Sequence, residues 1–289
     1  FLREAHGCAR TGRLRRPDDQ LFAQTLVQDA GRRGYAHLGV PRAGAFDTRA
    51  WRLANRLVGN TEEAAALETL GGGLVLEALG HVTVAVTGAQ GEIDIDTRSA
   101  GAHTPLHLRP GSRLRLGRPH TGIRYYLAVS GGLSTPAVLG SRAHDTLGRL
   151  GPPAIETDQI LDTGAARVGH PQVDHVPAID PSHTFLVLPG PDGDERVLAQ
   201  LVEGSWDLDP QSDRIGVRLQ GRPLRTGTHS LPSKPMVLGA VQLPPNGLPI
   251  ILGPDHPTTG GYPVIAVVTS ASMCDVAQWS GGPRRFRRA

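Results

Sequence analysis

Apolar residues recur at helical spacing from Asp47 to Val58, where Ala50, Trp51, Ala54, Leu57 and Val58 share one face. Asp47 stands where an N-cap accepts from the first turn, and Gly59 with Asn60 ends the run, so the pattern predicts a helix. Thr61 to Leu67 reads as a second, shorter helix, with Glu62 and Glu63 in the first turn, where the helix dipole favours acids. After Gly73 the period changes. Short segments follow: HVTVAVTG from His81, EIDID from Glu92, PLHLRPG from Pro105, SRLRLG from Ser112 and IRYYLAVSGG from Ile123. Turn signals separate them at about eight- to twelve-residue intervals, which predicts the strands of a sandwich or barrel.

Gly151 to His175 carries few large apolar residues and reads as the boundary between two halves. Beyond it come a strand from Thr184 (TFLVLPG) and a helix over DERVLAQLVEG from Asp194. Strands are then expected around Ile215 to Leu219, Met236 to Leu243, Leu248 to Leu252 and Pro263 to Thr269. The expected organisation is a mainly β chain of two related β-barrel domains with a few short helices, over residues 21–165 and 176–289. Residues 1–20, polar and arginine-rich without period, read as a tail.

Composition narrows the chemistry. The 289 residues carry 30 Lys plus Arg against 27 Asp plus Glu, a formal charge of +3, which is too little to argue for nucleic acid. Thirty-seven glycines and 24 prolines, spread through the chain, fit short strands and tight turns better than long helices. Cys8 and Cys274 lie far apart and form no disulfide framework, and no apolar run reaches the roughly 18 residues that span a bilayer. A soluble protein of the reducing cytoplasm is expected. Lys234, the sole lysine, sits in LPSKP, where prolines forbid a phosphate-cradling turn, and no GxSxG, HExxH, CxxC or helix-opening GxGxxG occurs. The nearest metal pair, His103 and His107, brackets Pro105, and along a strand the two would stand about 13 Å apart. No metal is expected.

Four clusters concentrate glycine, proline and polar residues beyond what strand packing needs. In VQDAGRRGYAHLGVPRAGAFD, from Val27, the candidates are Gln28, Asp29 and Arg32. Arg32 can read a planar anion with its forked guanidinium, or it can simply pair with Asp29. In DHPTTGGYP, from Asp255, Thr258, Thr259 and Tyr262 add hydroxyls, and the Gly260 and Gly261 N–H groups could form an anion nest. LGSRAHD offers Arg142, and SDRIGVRL offers Asp213 and Arg214; local ion pairs holding turns compete with catalysis at both. The first two loops are expected to face each other across the domain interface, with Arg32 supplying charge and the glycine pair supplying N–H donors.

These blocks, with LGVPRAGAFDTRAWRLANRLVGN, AAALET, GIRYYLAVSGGL, GAVQLPPNGLPIIL, PVIAVVTS and AQW, resemble the family of KipA and the 5-oxoprolinase C subunit from about Val27 to Gln278. That family is also called allophanate hydrolase subunit 2, and it is similar to the carboxyltransferase portion of urea carboxylase. The resemblance implies two cyclophilin-like β-barrels without prolyl isomerase activity. It also implies a cytoplasmic heteromer with a KipI-like B component, and often a further A component, that uses ATP to open the 5-oxoproline lactam. Two other readings stay open: a carboxyltransferase-type component that acts on urea- or allophanate-like amides with a biotin carrier, and a regulatory partner of a KipI-like kinase inhibitor. The chain departs from the family pattern at Ala43, where the family has Ser, and at Ala143 and His144, where it has Ser-Thr.

Overall fold

The computed structural model describes residues 11–16, 24–165, 175–225 and 231–289. The first sheet has nine strands: β1 (Thr11–Arg15), β2 (Gln24–Gln28), β3 (Ala66–Leu70), β4 (Val75–Ala78), β5 (Val82–Ile95), β6 (Arg98–Ser99), β7 (Pro105–Leu108), β8 (Arg113–Val129) and β9 (Ile160–Ala165). The second has seven: β10 (Thr184–Pro189), β11 (Asp207–Leu208), β12 (Gly216–Gln220), β14 (Ala240–Gln242), β15 (Ile250–Leu252), β17 (Val264–Val268) and β18 (Arg285–Arg288). Between β12 and β17 in sequence, β13 (Lys234–Pro235) and β16 (Thr259–Gly260) make a small separate ribbon. The described chain is mainly β, with strands through β9 in one curled sheet and, apart from the β13–β16 ribbon, those from β10 in the other.

Three helices accompany the sheets: α1 (Thr48–Leu57), α2 (Glu195–Glu203) and α3 (Ser270–Ala277). Asp47 caps α1 by accepting from the Ala50 N–H at 3.0 Å, and Asp194 caps α2 by accepting from Val197 at 2.8 Å. The α1 face bearing Ala50, Trp51, Ala54 and Leu57 packs on Ala66, Ala85, Tyr126 and Ala128 of the first sheet. Burying such side chains contributes roughly 1.5–3 kcal/mol for each large one. Helix α3 has no counterpart in the sequence reading, because Ser270–Ala277 follows the apolar PVIAVVTS without a clear amphipathic period; Thr269 caps it.

Three expectations are corrected. Thr61 to Leu67 is not a helix: residues 61–65 turn and Ala66 begins β3, which is buried between β2 and β8. Asn60 sets the turn, donating to the Val129 carbonyl at 2.8 Å while accepting from Gly131 N–H. The segments from His81 and Glu92 are one strand, β5, and those from Ser112 and Ile123 are one strand, β8. Register shifts between Gly88 and Ile93 let the pair bend without breaking. Finally, part of the expected tail is structural: β1 pairs antiparallel with β4 and β9, its Leu14 fully buried. The rest of residues 1–20, including Cys8, lies outside the described residues.

The two halves share more than a boundary. Phe46, from the first half, inserts into the second core beside Trp279, Phe185 and Phe286. Phe185 meets Trp279 edge-on at 5.5 Å and Phe286 at 5.8 Å. Pairing is antiparallel throughout both sheets except at β10 and β18, which run parallel.

Candidate functional site

The loop from Asp29 to Ala45 and the segment after β15 meet between the sheets, where the Ala43 N–H donates to the Pro254 carbonyl at 3.0 Å. Above this contact opens a cavity of about 530 Å³. Trp51, Met236, Met273 and Val268 give it an apolar wall, and the first residues of α1 and α3, Thr48 and Ser270, bring two helix N-termini to it. Its charged lining consists of Asp29, Arg32, Arg33, Arg42 and Arg52. The two loops expected to converge do so, at the junction of the halves.

The individual candidates divide sharply. Asp29 is saturated: its carboxylate accepts from Gly31 N–H at 2.8 Å, from the Ser141 hydroxyl at 2.6 Å and from Arg142 N–H at 2.6 Å. Arg32 does not pair with it. Its guanidinium donates from Nε to the Val138 carbonyl at 3.2 Å and from a terminal nitrogen to the Ala143 carbonyl, clamping the 138–143 loop onto the 29–45 loop. The other terminal nitrogen is walled off with no partner among the described residues, and burial holds the guanidinium pKa below its usual value despite Asp145, Asp29 and Asp255 nearby. Gln28 donates to the His144 carbonyl at 2.9 Å, and Arg142 donates to the Thr135 carbonyl at 2.8 Å. The first and third clusters are therefore one interlocked unit.

Arg214, which does not itself line the cavity, is the hub of a buried network that adjoins the lining residues Ala43, Ala45, Pro254 and His256 and serves as the cavity floor. It grips Asp255 bidentately, Nε and a terminal nitrogen each at 3.0 Å, reaches the Gly44 carbonyl at 2.6 Å, and meets Glu68 of β3 at 2.5 Å. Glu68 also accepts from the Tyr126 hydroxyl at 2.7 Å and from Phe46 N–H at 3.1 Å, while Asp255 accepts from Thr146. Burial alone would raise the Glu68 carboxyl, but Arg214 and Arg124 hold it below the usual range; the same acids push the buried Arg214 upward. A buried charge is tolerated only when paired and hydrogen-bonded, and this set is. Asp213, by contrast, is exposed and closes a turn by accepting from Ile215 and Gly216 N–H groups.

In the second loop only Thr258, of the five candidates, lines the cavity. Gly260 pairs with Lys234 and Thr259 with Pro235 in the β13–β16 ribbon, and Gly261 accepts from Leu231 N–H. Neither glycine takes the positive φ that an anion nest alternates with, so the expected nest does not form. Tyr262 is exposed outside the cavity.

Four further groups face the cavity that no motif marks in the sequence: Arg33, Arg42, Arg52 and His256. The His256 Nδ1 lies 2.8 Å from the Pro257 carbonyl and therefore carries the proton, which leaves Nε2 as an acceptor without a partner among the described residues. Burial lowers this imidazole's pKa below its ordinary 6.5, so it is neutral at pH 7. Arg42 was visible as an arginine with no acid within four residues on either side. For Arg33, next to Arg32, no pattern separates the inward from the outward side chain.

The model of the carboxyltransferase domain, subdomain A and B, fits residues 38–288, and the chain belongs to that family. Among its relatives, the 5-oxoprolinase C subunit of Escherichia coli (strain K12) is 38% identical over 88% of this chain and 84% of its own length. Urea amidolyase of Lachancea kluyveri is 30% identical over 90% of this chain, but that match takes up only 16% of the amidolyase. The crystal structure of TTHA0988 superposes with a TM-score of 0.88 at 32% identity, covering 97% of this chain, which spans just over half (56%) of the TTHA0988 chain.

Proposed function

We propose that the chain is the C component of a 5-oxoprolinase-type complex and that it works through the cavity between its two sheets. The observation that carries this reading is the end-to-end likeness to the 5-oxoprolinase C subunit, 38% identical and matched over most of both chains. A KipI-like B component and an A component would complete the assembly in the cytoplasm. The carboxyltransferase-type reading, on urea-like amides with a biotin carrier, is the second, favoured by the amidolyase likeness.

The described residues hold no P-loop-type ATP site. The sole lysine, Lys234, is bound by Asp192 and held in the β13–β16 ribbon, and no glycine-rich phosphate loop precedes a helix. We therefore assign nucleotide binding to a partner, and biotin under the second reading to a separate carrier protein. What this chain supplies is an apolar-walled pocket with positive charge and one neutral acceptor, His256 Nε2, placed to take a proton from attacking water. Arg32, Asp29 and Gln28 position the wall, and Thr258 offers a hydroxyl.

Reconstitution with the two partner proteins tests the reading by comparing 5-oxoproline, allophanate and urea. ATP-dependent glutamate release from 5-oxoproline, needing all partners, is expected; release of product from urea or allophanate alone would overturn it. The acid limb of this activity should lie below pH 6.5, because lowering pH protonates His256 only through its depressed pKa. His256→Gln should abolish that limb, and a pH profile unchanged by the substitution would remove His256 from the proton path.

A further inference from the structure

The mouth of the cavity holds an excess of positive charge that no acid among the described residues balances. Arg33 makes no ion pair or hydrogen bond among the described residues. Among the described residues the Arg42 side chain donates only to the Ala30 carbonyl, at 3.3 Å, and Arg52 has one distant partner, Glu62 at 3.9 Å. The single acidic residue on the lining, Asp29, has both oxygens engaged by Gly31, Ser141 and Arg142. Behind the wall, the buried Arg32 adds a further charge with one nitrogen unpartnered. Elsewhere on the surface, arginines such as Arg13, Arg15, Arg56 and Arg288 stand within 3.1 Å of a carboxylate. Crowding is also felt electrostatically: burial, then Arg33 and Arg52, depress the Arg42 pKa. Three guanidinium groups converging on an apolar pocket favour a ligand that carries a planar anion on a small apolar body.

We propose that Arg33, Arg42 and Arg52 form a carboxylate subsite at the mouth of this cavity and make the chain select an anionic amide over a neutral one. The proposal rests on the 5-oxoprolinase reading and deepens it. 5-Oxoproline carries such a carboxylate beside its lactam, and urea carries none. The lactam ring would then lie against Trp51, Met236 and Met273.

Calorimetric titration of the full chain with 5-oxoproline and with its uncharged carboxamide tests this directly. The acid should bind at least tenfold more tightly than the carboxamide, with the preference shrinking as salt is raised. Arg42→Gln should weaken the acid about tenfold and leave the carboxamide unchanged; Arg33→Gln, on a side chain without contacts, is the second variant should the first perturb folding. Equal affinity for both compounds, no detectable binding of the acid, or equal losses for both in the variants would overturn the subsite. Glutamate release by the reconstituted complex separates this from the parent reading. A working complex whose KM ignores Arg42→Gln and Arg33→Gln defeats the subsite alone. A chain that selects the carboxylate yet supports turnover with no partner defeats the reading alone.

Discussion

Arg214 and Arg42 stand at the same junction between the two sheets and do opposite things with the same side chain. Every guanidinium nitrogen of Arg214 is committed, to Asp255, Glu68 and Gly44, and the residue is nearly inaccessible. Arg42 is exposed and gives one long hydrogen bond to a backbone carbonyl. The floor of the cavity is thus a closed electrostatic account and its mouth an open one. Residue type does not distinguish a structural arginine from a binding one; the count of satisfied valences does.

The comparison is broken most severely at the floor. Arg214→Met leaves Asp255 buried without its arginine and Glu68 with Arg124 alone, and should cost about 3–5 kcal/mol in urea unfolding. The pH dependence should weaken as well. In the native chain the Glu68 carboxyl is depressed, so its contribution is present above the ordinary value of 4.5 and lost as pH falls through the depressed pKa. In the variant only Arg124 and two hydrogen bonds oppose burial, so that pKa rises from its native position and less stability should be lost as pH falls; an unchanged acid profile would contradict the hub role. Arg32→Ala should come next, at roughly 2 kcal/mol, because the Val138 and Ala143 carbonyls lose their donor. Turnover per folded complex should stay within a few-fold, and full stability with lost turnover would move Arg32 from the wall into the site. Tyr126→Phe removes the hydroxyl that donates to Glu68 and accepts from Asp47 N–H, for about 1 kcal/mol by thermal melting. The smallest effect belongs to the mouth: Arg33→Gln should shift unfolding by no more than about 0.5 kcal/mol, and a larger loss would mean that its charge is already used.

The same contrast explains what could be read in advance. Helix α1 was legible because Asp47, the apolar spacing and Gly59 agree at every level. Strand β3 was not: the cap Thr61, the acids Glu62 and Glu63 and the helix propensity of Ala, Leu and Glu all point to a helix, and burial on both faces, which hides period two, became visible only with β2 and β8 in place. Glycines at 88, 91, 117 and 122 looked like turn marks and are instead the bends of two long strands, with Gly88 at φ +90 beside the Arg124 carbonyl. The clusters that build the cavity stood out as loops dense in glycine, proline and polar groups, and two of them do meet. Which arginine in GRR turns inward is decided by the Val138 and Ala143 carbonyls more than a hundred positions downstream. A loop has no period from which to infer that.

Strand β10 lies between β17 and β18, the last two strands of its sheet in sequence. During synthesis, Phe185 and Val187 therefore emerge long before either neighbour exists. At about 5–20 residues per second, the wait for β18 is on the order of ten seconds. In that window both edges of β10 are unpaired, so the yield of the second half is set by a race between translation and aggregation.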